Sequence, residues 1–211
     1  MKPSPVLFTH AVEAEDQARA DLYALLSRLY SAAPDAALLA AMASADELAV
    51  AASEGPGTNF AATWRSLIAA SAIIDPEAAA AEYQALFVGV GQSEVSLYGS
   101  AYVKTPEGAQ LLVEIREALD QLGLARQPGA SIVEDHLAAV FETMRLLITG
   151  SGQSRPFELA QQRQFFENHV GSWVFECCGA ISAKSVANYY RRVAQFTQSF
   201  MALERDSFAI E

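Results

Sequence analysis

The chain has 211 residues, 52% of them hydrophobic, and a formal net charge of -11. That length supports one well-buried core and is short for two ordinary domains. The negative charge repels a phosphate backbone, which argues against nucleic-acid binding and favours a basic partner. Ala and Leu dominate the apolar residues, a bias towards helix because such side chains lose little rotamer freedom there. Leu22, Leu25, Leu26 and Leu29 recur at helical spacing and predict a first helix over residues 12–31, ended by Pro34. Two short Ala-rich helices are expected at 35–43 and 46–53, before Gly55, Pro56 and Gly57 interrupt the pattern. Phe60, Trp64, Leu67 and Ile68 form the next apolar stripe. Asp75, Pro76 and Glu77 combine a side-chain acceptor at the N-cap, proline where no amide donor is needed and an acid facing the helix dipole. That helix is expected to end near Phe87.

Residues 88–103 have no helical period, and a loop of that length inside a compact domain is usually mobile or functional. Thr105 and Pro106 restart a helix carrying Leu111, Leu112, Ile115, Leu119 and Leu122, with Gly123 at a left-handed cap. Ser131 and Glu134 have capping-box spacing and predict a helix through Leu137, Val140, Phe141, Met144 and Leu147 to Gly150. Residues 151–155 read as a linker. Helices follow from Pro156 to His169, over 171–182, and over 185–205, the last with Val186, Tyr190, Val193, Phe196, Phe200 and Leu203 as its buried stripe. The expected architecture is all-α: a single compact multi-helix bundle over residues 1–211.

Enzyme motifs are missing. Gly89, Val90 and Gly91 begin like a dinucleotide loop but lack the third glycine and the preceding strand, and there is no P-loop. The three histidines, His10, His136 and His169, have neither zinc-protease nor di-iron spacing, so no metal, cofactor or catalytic residue is assigned. The adjacent Cys177 and Cys178 suit neither an unstrained bridge nor a four-thiolate site, and they fit burial in a reducing compartment. The first ten residues contain one lysine and no extended apolar core, and no apolar run approaches the roughly 20 residues that span a bilayer. A cytoplasmic protein is expected.

Two segments hold candidate binding residues. Tyr83, Leu86 and Phe87 could be plain core, yet the loop after them presents Tyr98, Ser100 and Tyr102 among small residues. Those flat apolar faces with polar tips suit a groove for a peptide. In Glu134-Asp135-His136, capping and dipole arguments cover the acids but leave the histidine unexplained. An Asp-His pair that fixes the loop or accepts a basic partner residue would account for it.

Together these blocks resemble the TorD/DmsD/NarJ superfamily of redox-enzyme maturation proteins, in its TorD/DmsD branch. Glu82, Tyr83, Leu86, Phe87, Tyr98, Ser100 and Tyr102 match one motif, and Glu134, Asp135 and His136 a second. Phe165, His169 and Trp173, with Tyr189 and Tyr190 in the final helix, match a third. Leu97 and Val133 stand where many members have proline, and Gly99 where many have glutamate. The resemblance implies a cytoplasmic chaperone, monomeric or dimeric. Its partners would be the twin-arginine leader and apo form of a molybdenum-containing oxidoreductase, held until cofactor insertion is complete. It assigns Tyr83, Leu86, Phe87, Tyr98 and Tyr102 to an apolar groove, Ser100 to polar contact or loop order, and Glu134, Asp135 and His136 to the polar end. Alternatives are an assembly factor for a non-exported reductase and a general helical interaction module.

Overall fold

The computed structural model describes residues 13–47, 56–89, 93–103, 110–126, 129, 131–150 and 155–210, except the side chains of 56–58. Among the described residues there are nine α-helices and no β-strand, as the composition implies. They are α1 (Ala14–Ser31), α2 (Ala36–Ala43), α3 (Pro56–Ile73), α4 (Pro76–Tyr83), α5 (Gln110–Gln121), α6 (Leu137–Thr149), α7 (Leu159–His169), α8 (Val174–Ala183) and α9 (Tyr189–Ile210). The long helices pair α1 with α6 and α3 with α9, while α8 also lies on α9 and α2 on α3. A continuous apolar core joins them, with Tyr23, Tyr30, Phe141, Phe196, Phe200 and Trp173 among its largest members.

Local chemistry sets several boundaries. Asp35 caps α2 by accepting from the Leu38 amide at 2.7 Å. Asp75 caps α4 through the Glu77 and Ala78 amides, with Pro76 behind it. Gly123 takes a φ of 67° just past α5, the left-handed geometry expected there. Other expectations need correction. No capping box at Ser131 opens α6: the helix begins at Leu137 with His136 as its N-cap. Helix α7 starts three residues after Pro156, where Gln161 Oε1 accepts from the Glu158 amide at 3.1 Å. Helix α9 begins at Tyr189, so Val186 precedes it and is exposed rather than buried. Asp46 and Glu47 are not helical, and the remainder of the helix expected over 46–53 lies outside the described residues. So do the Thr105-Pro106 start, Gly91 and the linker at 151–154.

Two buried carboxylates fasten α9. Near its carboxy-terminal end Glu204 pairs with Arg19 of α1, Nε to Oε1 at 2.8 Å and Nη2 to Oε2 at 3.0 Å, and accepts the Tyr23 hydroxyl at 3.0 Å. At its amino-terminal end Glu82 of α4 accepts the amides of Asn188, Tyr189 and Tyr190 at 2.7–3.0 Å. Those donors have no partner within the helix, so a carboxylate supplied from α4 both satisfies them and complements the dipole.

Candidate peptide-binding site

Helix α4 runs directly into a π-helical segment, Gln84–Val88, closed by the Gly89 amide on Gln84 O at 2.8 Å. The wider turn buries Leu86, half-buries Phe87 and exposes Val88. Insertions of this kind recur at functional sites because they redirect side chains without ending the helix. Phe87 meets Tyr83 and Tyr190 edge-on at 5.2 and 5.0 Å, and the Tyr83 hydroxyl donates to Tyr30 O at 3.2 Å. An aromatic platform thus sits where α4 meets α1 and α9.

The loop that follows is tied to the entrance of α6. The Val95 amide returns to Leu86 O, Leu137 donates to Leu97 O, and Gly99 donates to Asp135 O, each at 2.8 or 2.9 Å. Tyr98 and His136 form an antiparallel bridge with their rings edge-on at 4.9 Å. Asp135 is only 2% exposed, and its Oδ2 accepts from the Ser100 amide at 3.2 Å. Tyr98, at 38% exposure, and Ser100 face outward, whereas Tyr102 stacks on Trp173 at 5.9 Å and donates to Ser96 O. The candidates therefore separate by role. Tyr83, Phe87, Tyr98, Ser100 and Glu134 retain accessible surface. Leu86, Asp135 and His136 are buried supports, and Tyr102, partly buried like Tyr83 and Phe87, braces the loop against Trp173.

Gly99 has its own constraint. A Cβ there would lie 2.6 Å from Leu111 Cδ2 and 2.7 Å from Trp173 Cε2. Glutamate, the common residue of the resembling family, has no room in this chain. Gly99→Ala is expected to cost about 2 kcal/mol through overpacking, read as a lower urea midpoint. An unchanged midpoint would mean that Trp173 and Leu111 yield freely.

His136 accounts for the residue that the capping argument left over. Its Nδ1 accepts from the Ala138 amide at 3.1 Å, so Nε2 carries the proton and the ring must be neutral. Burial pushes its pKa down to about 4, with Asp135 partly opposing. Because the folded-state value is below that of the unfolded chain, the cap is fully stabilising above about pH 6.5. Its contribution falls as the pH drops towards about 4. Stability of the wild type should decline across that window, and His136→Asn, which can cap at any of these pH values, should flatten that component in urea titrations. Parallel pH profiles would contradict this assignment.

Across the first turn of α6 lies an open groove of about 380 Å³. Leu119, Leu124, Ile132 and Leu146 line it over a floor of Ala138 and Ala139, with Ser27 and Ser31 of α1 along one side. Glu134 and Glu142 supply carboxylates. Burial favours the neutral form of Glu134, but its own backbone N–H, Arg116 and Arg126 prevail and hold its pKa below the usual range. Arg116 Nη2 donates to Glu134 Oε2 at 3.1 Å, and Arg145 pairs bidentately with Glu142. Sequence analysis singled out only Glu134 of this groove. Ala138, Ala139, Glu142 and Leu146 recur on one helical face, which is the available signal, but the partner walls come from α1 and α5.

Elsewhere the chemistry is quiet. Cys177 and Cys178 are free thiols buried in the core, and burial pushes Cys177 up to about 12, outweighing a hydrogen bond with Tyr102. That protonation state gives no reactive thiolate near neutral pH. Among the described residues no cluster of His, Cys, Asp or Glu could hold a metal ion, and no helix is long and apolar enough to cross a membrane. The third sequence block is structural: Trp173 Nε1 donates to His169 O at 2.8 Å, and Phe165 packs on the His169 ring.

The family model described as nitrate reductase delta subunit matches residues 53–179, which contain the π segment, the bridged loop, the Glu134-Asp135-His136 turn and Trp173. The chain belongs to this family, within the TorD/DmsD/NarJ superfamily. Similarity extends beyond that region. The chaperone protein TorD of Shewanella pealeana is 25% identical over 206 residues, 92% of this chain and 90% of its own. TorD of Shewanella loihica is 24% identical over 195 residues, covering 90% and 92%. The superfamily is one of redox-enzyme maturation chaperones, and its sequence blocks coincide here with a capping glutamate, an aromatic platform and a loop latched by Asp135.

Proposed function

We propose that this chain is a cytoplasmic maturation chaperone that binds the twin-arginine leader of a molybdenum-containing oxidoreductase and shields that client until its cofactor is inserted. The observation that carries the proposal is an apolar groove containing Glu134 and Glu142 across the first turn of α6, with Glu134 two residues from His136, whose ring the exposed Tyr98 meets edge-on. A leader of this class has a basic segment followed by an apolar one. It calls for carboxylates beside an apolar trough, and a chain of net charge -11 would also speed its approach. Tyr83, Phe87, Tyr98 and Ser100 supply contact surface, while Leu86, Tyr102, Asp135 and His136 position it. No step requires covalent chemistry.

Titration calorimetry with twin-arginine leader peptides tests the proposal. Saturable binding is expected, weaker by about tenfold when both arginines are lysine, because lysine lacks the planar fork that matches a carboxylate. Tyr98→Ala should weaken binding by about 1–2 kcal/mol with helical circular dichroism unchanged. Asp135→Ala should weaken it too, by releasing the Ser100 loop. Equal affinity in both variants would reject the site. Absence of binding to any leader, with binding to a mature reductase subunit, would favour assembly of a non-exported enzyme.

A further inference from the structure

The groove carboxylate is already engaged. Glu134 is the inner member of its ion pair, with 13% of its side chain exposed against 51% for Arg116. Arg126 lines the same groove and acts electrostatically on the same carboxylate. A largely buried carboxylate on an apolar wall is costly without a cationic partner. A half-exposed arginine can nonetheless give way to another guanidinium, because the carboxylate stays paired and the displaced side chain returns to water.

We propose that Arg116 and Arg126 are resident stand-ins for the leader's arginine pair, keeping Glu134 satisfied in the empty chaperone and leaving when the leader enters. This rests on the leader-binding reading above and concerns the same groove. An incoming guanidinium replaces the single bond that Arg116 gives up and can engage both carboxylate oxygens, so the net gain at Glu134 is small and most of the net affinity comes from the apolar segment. The exchange also favours arginine, because an ammonium lacks the planar fork that can engage both Glu134 oxygens. Removing a resident arginine removes an internal competitor, and the leader should then bind more tightly.

The test is leader titration of the full chain carrying Arg116→Gln, Arg126→Gln, Glu134→Gln, the double variant Arg116→Gln/Glu134→Gln, and Arg65→Gln. Arg65 pairs with Glu47 and does not line the groove, so its variant controls for the change in net charge. Arg116→Gln should tighten binding about two- to fivefold, with a smaller gain for Arg126→Gln and none for Arg65→Gln. Glu134→Gln should weaken binding and, in the double variant, abolish the gain from Arg116→Gln. Equal gains in Arg116→Gln and Arg65→Gln, or weaker binding in Arg116→Gln, would overturn the exchange while leaving leader binding in place. Failure of every variant and the wild type to bind any leader would overturn both.

Discussion

Replacing Glu204 with alanine is expected to cost about 3–5 kcal/mol of folding stability, the range for removing one partner of a buried ion pair. Glu204 is 3% exposed and receives two Arg19 nitrogens and the hydroxyl of the fully buried Tyr23. Truncation strands both donors between α1 and α9. The guanidinium also reaches Asp16 at 2.8 Å and lies over the Phe208 ring, so it cannot swing into water without abandoning those contacts as well. The effect belongs to the stranded charge rather than to the net worth of the pair. Accordingly, Arg19→Met and Tyr23→Phe combined with Glu204→Leu should recover most of the loss, because three apolar side chains of similar volume leave no buried donor unsatisfied. Urea unfolding of the two variants measures both effects. A loss below about 1 kcal/mol in Glu204→Ala would show that the pair is solvated and contributes little.

What could be read from the sequence divides by the range of the interaction responsible. Asp75 caps a helix that starts one residue later, and the local pattern identifies it, whereas Asp35, read as the first residue of its helix, is the cap instead. Ser131 and Glu134 have equally good local spacing, yet no helix starts there. The chain around His136 is bridged to Tyr98, and Leu137 donates to Leu97, forty residues earlier in sequence. That pairing keeps the turn extended and leaves His136 as the cap. Periodicity likewise carried the α9 stripe back to Val186, because nothing local shows that Glu82 fixes the helix start at Tyr189. The π segment has no compositional sign: Gln84 to Val88 read as one more turn of α4.

The candidate site divides the same way. Aromatic and acidic residues near sequence breaks drew attention to Tyr98, Ser100 and Glu134, and these keep accessible surface. Pattern alone could not separate contact residues from supports. Asp135 looks like a surface carboxylate in sequence, but its backbone carbonyl and its side chain both hold the Gly99-Ser100 turn. Leu119 and Leu124 look like ordinary core leucines of an amphipathic helix and its exit, yet they line an open groove.

Glu82→Ala should lower stability by about 3 kcal/mol, since three amides lose a charge-assisted acceptor in a site that is 8% exposed. Glu82→Gln keeps one carbonyl oxygen but turns an NH2 towards the same donors, so it should fall between alanine and wild type. The consequence extends to the platform, because Tyr190, whose amide Glu82 holds, packs its ring against Tyr83 and Phe87. Hydrogen exchange at residues 188–190 should accelerate in Glu82→Ala beyond the global loss of stability, reporting a frayed first turn of α9. Leader affinity should drop in the same variant although Glu82 lies beneath the platform, acting as a positioning residue through Tyr190. Restoring the stability with an unrelated core substitution separates the two roles. If the cap acts on stability alone, leader affinity returns with the midpoint; if it also sets the register of α9 under Tyr83 and Phe87, affinity stays low while the midpoint recovers.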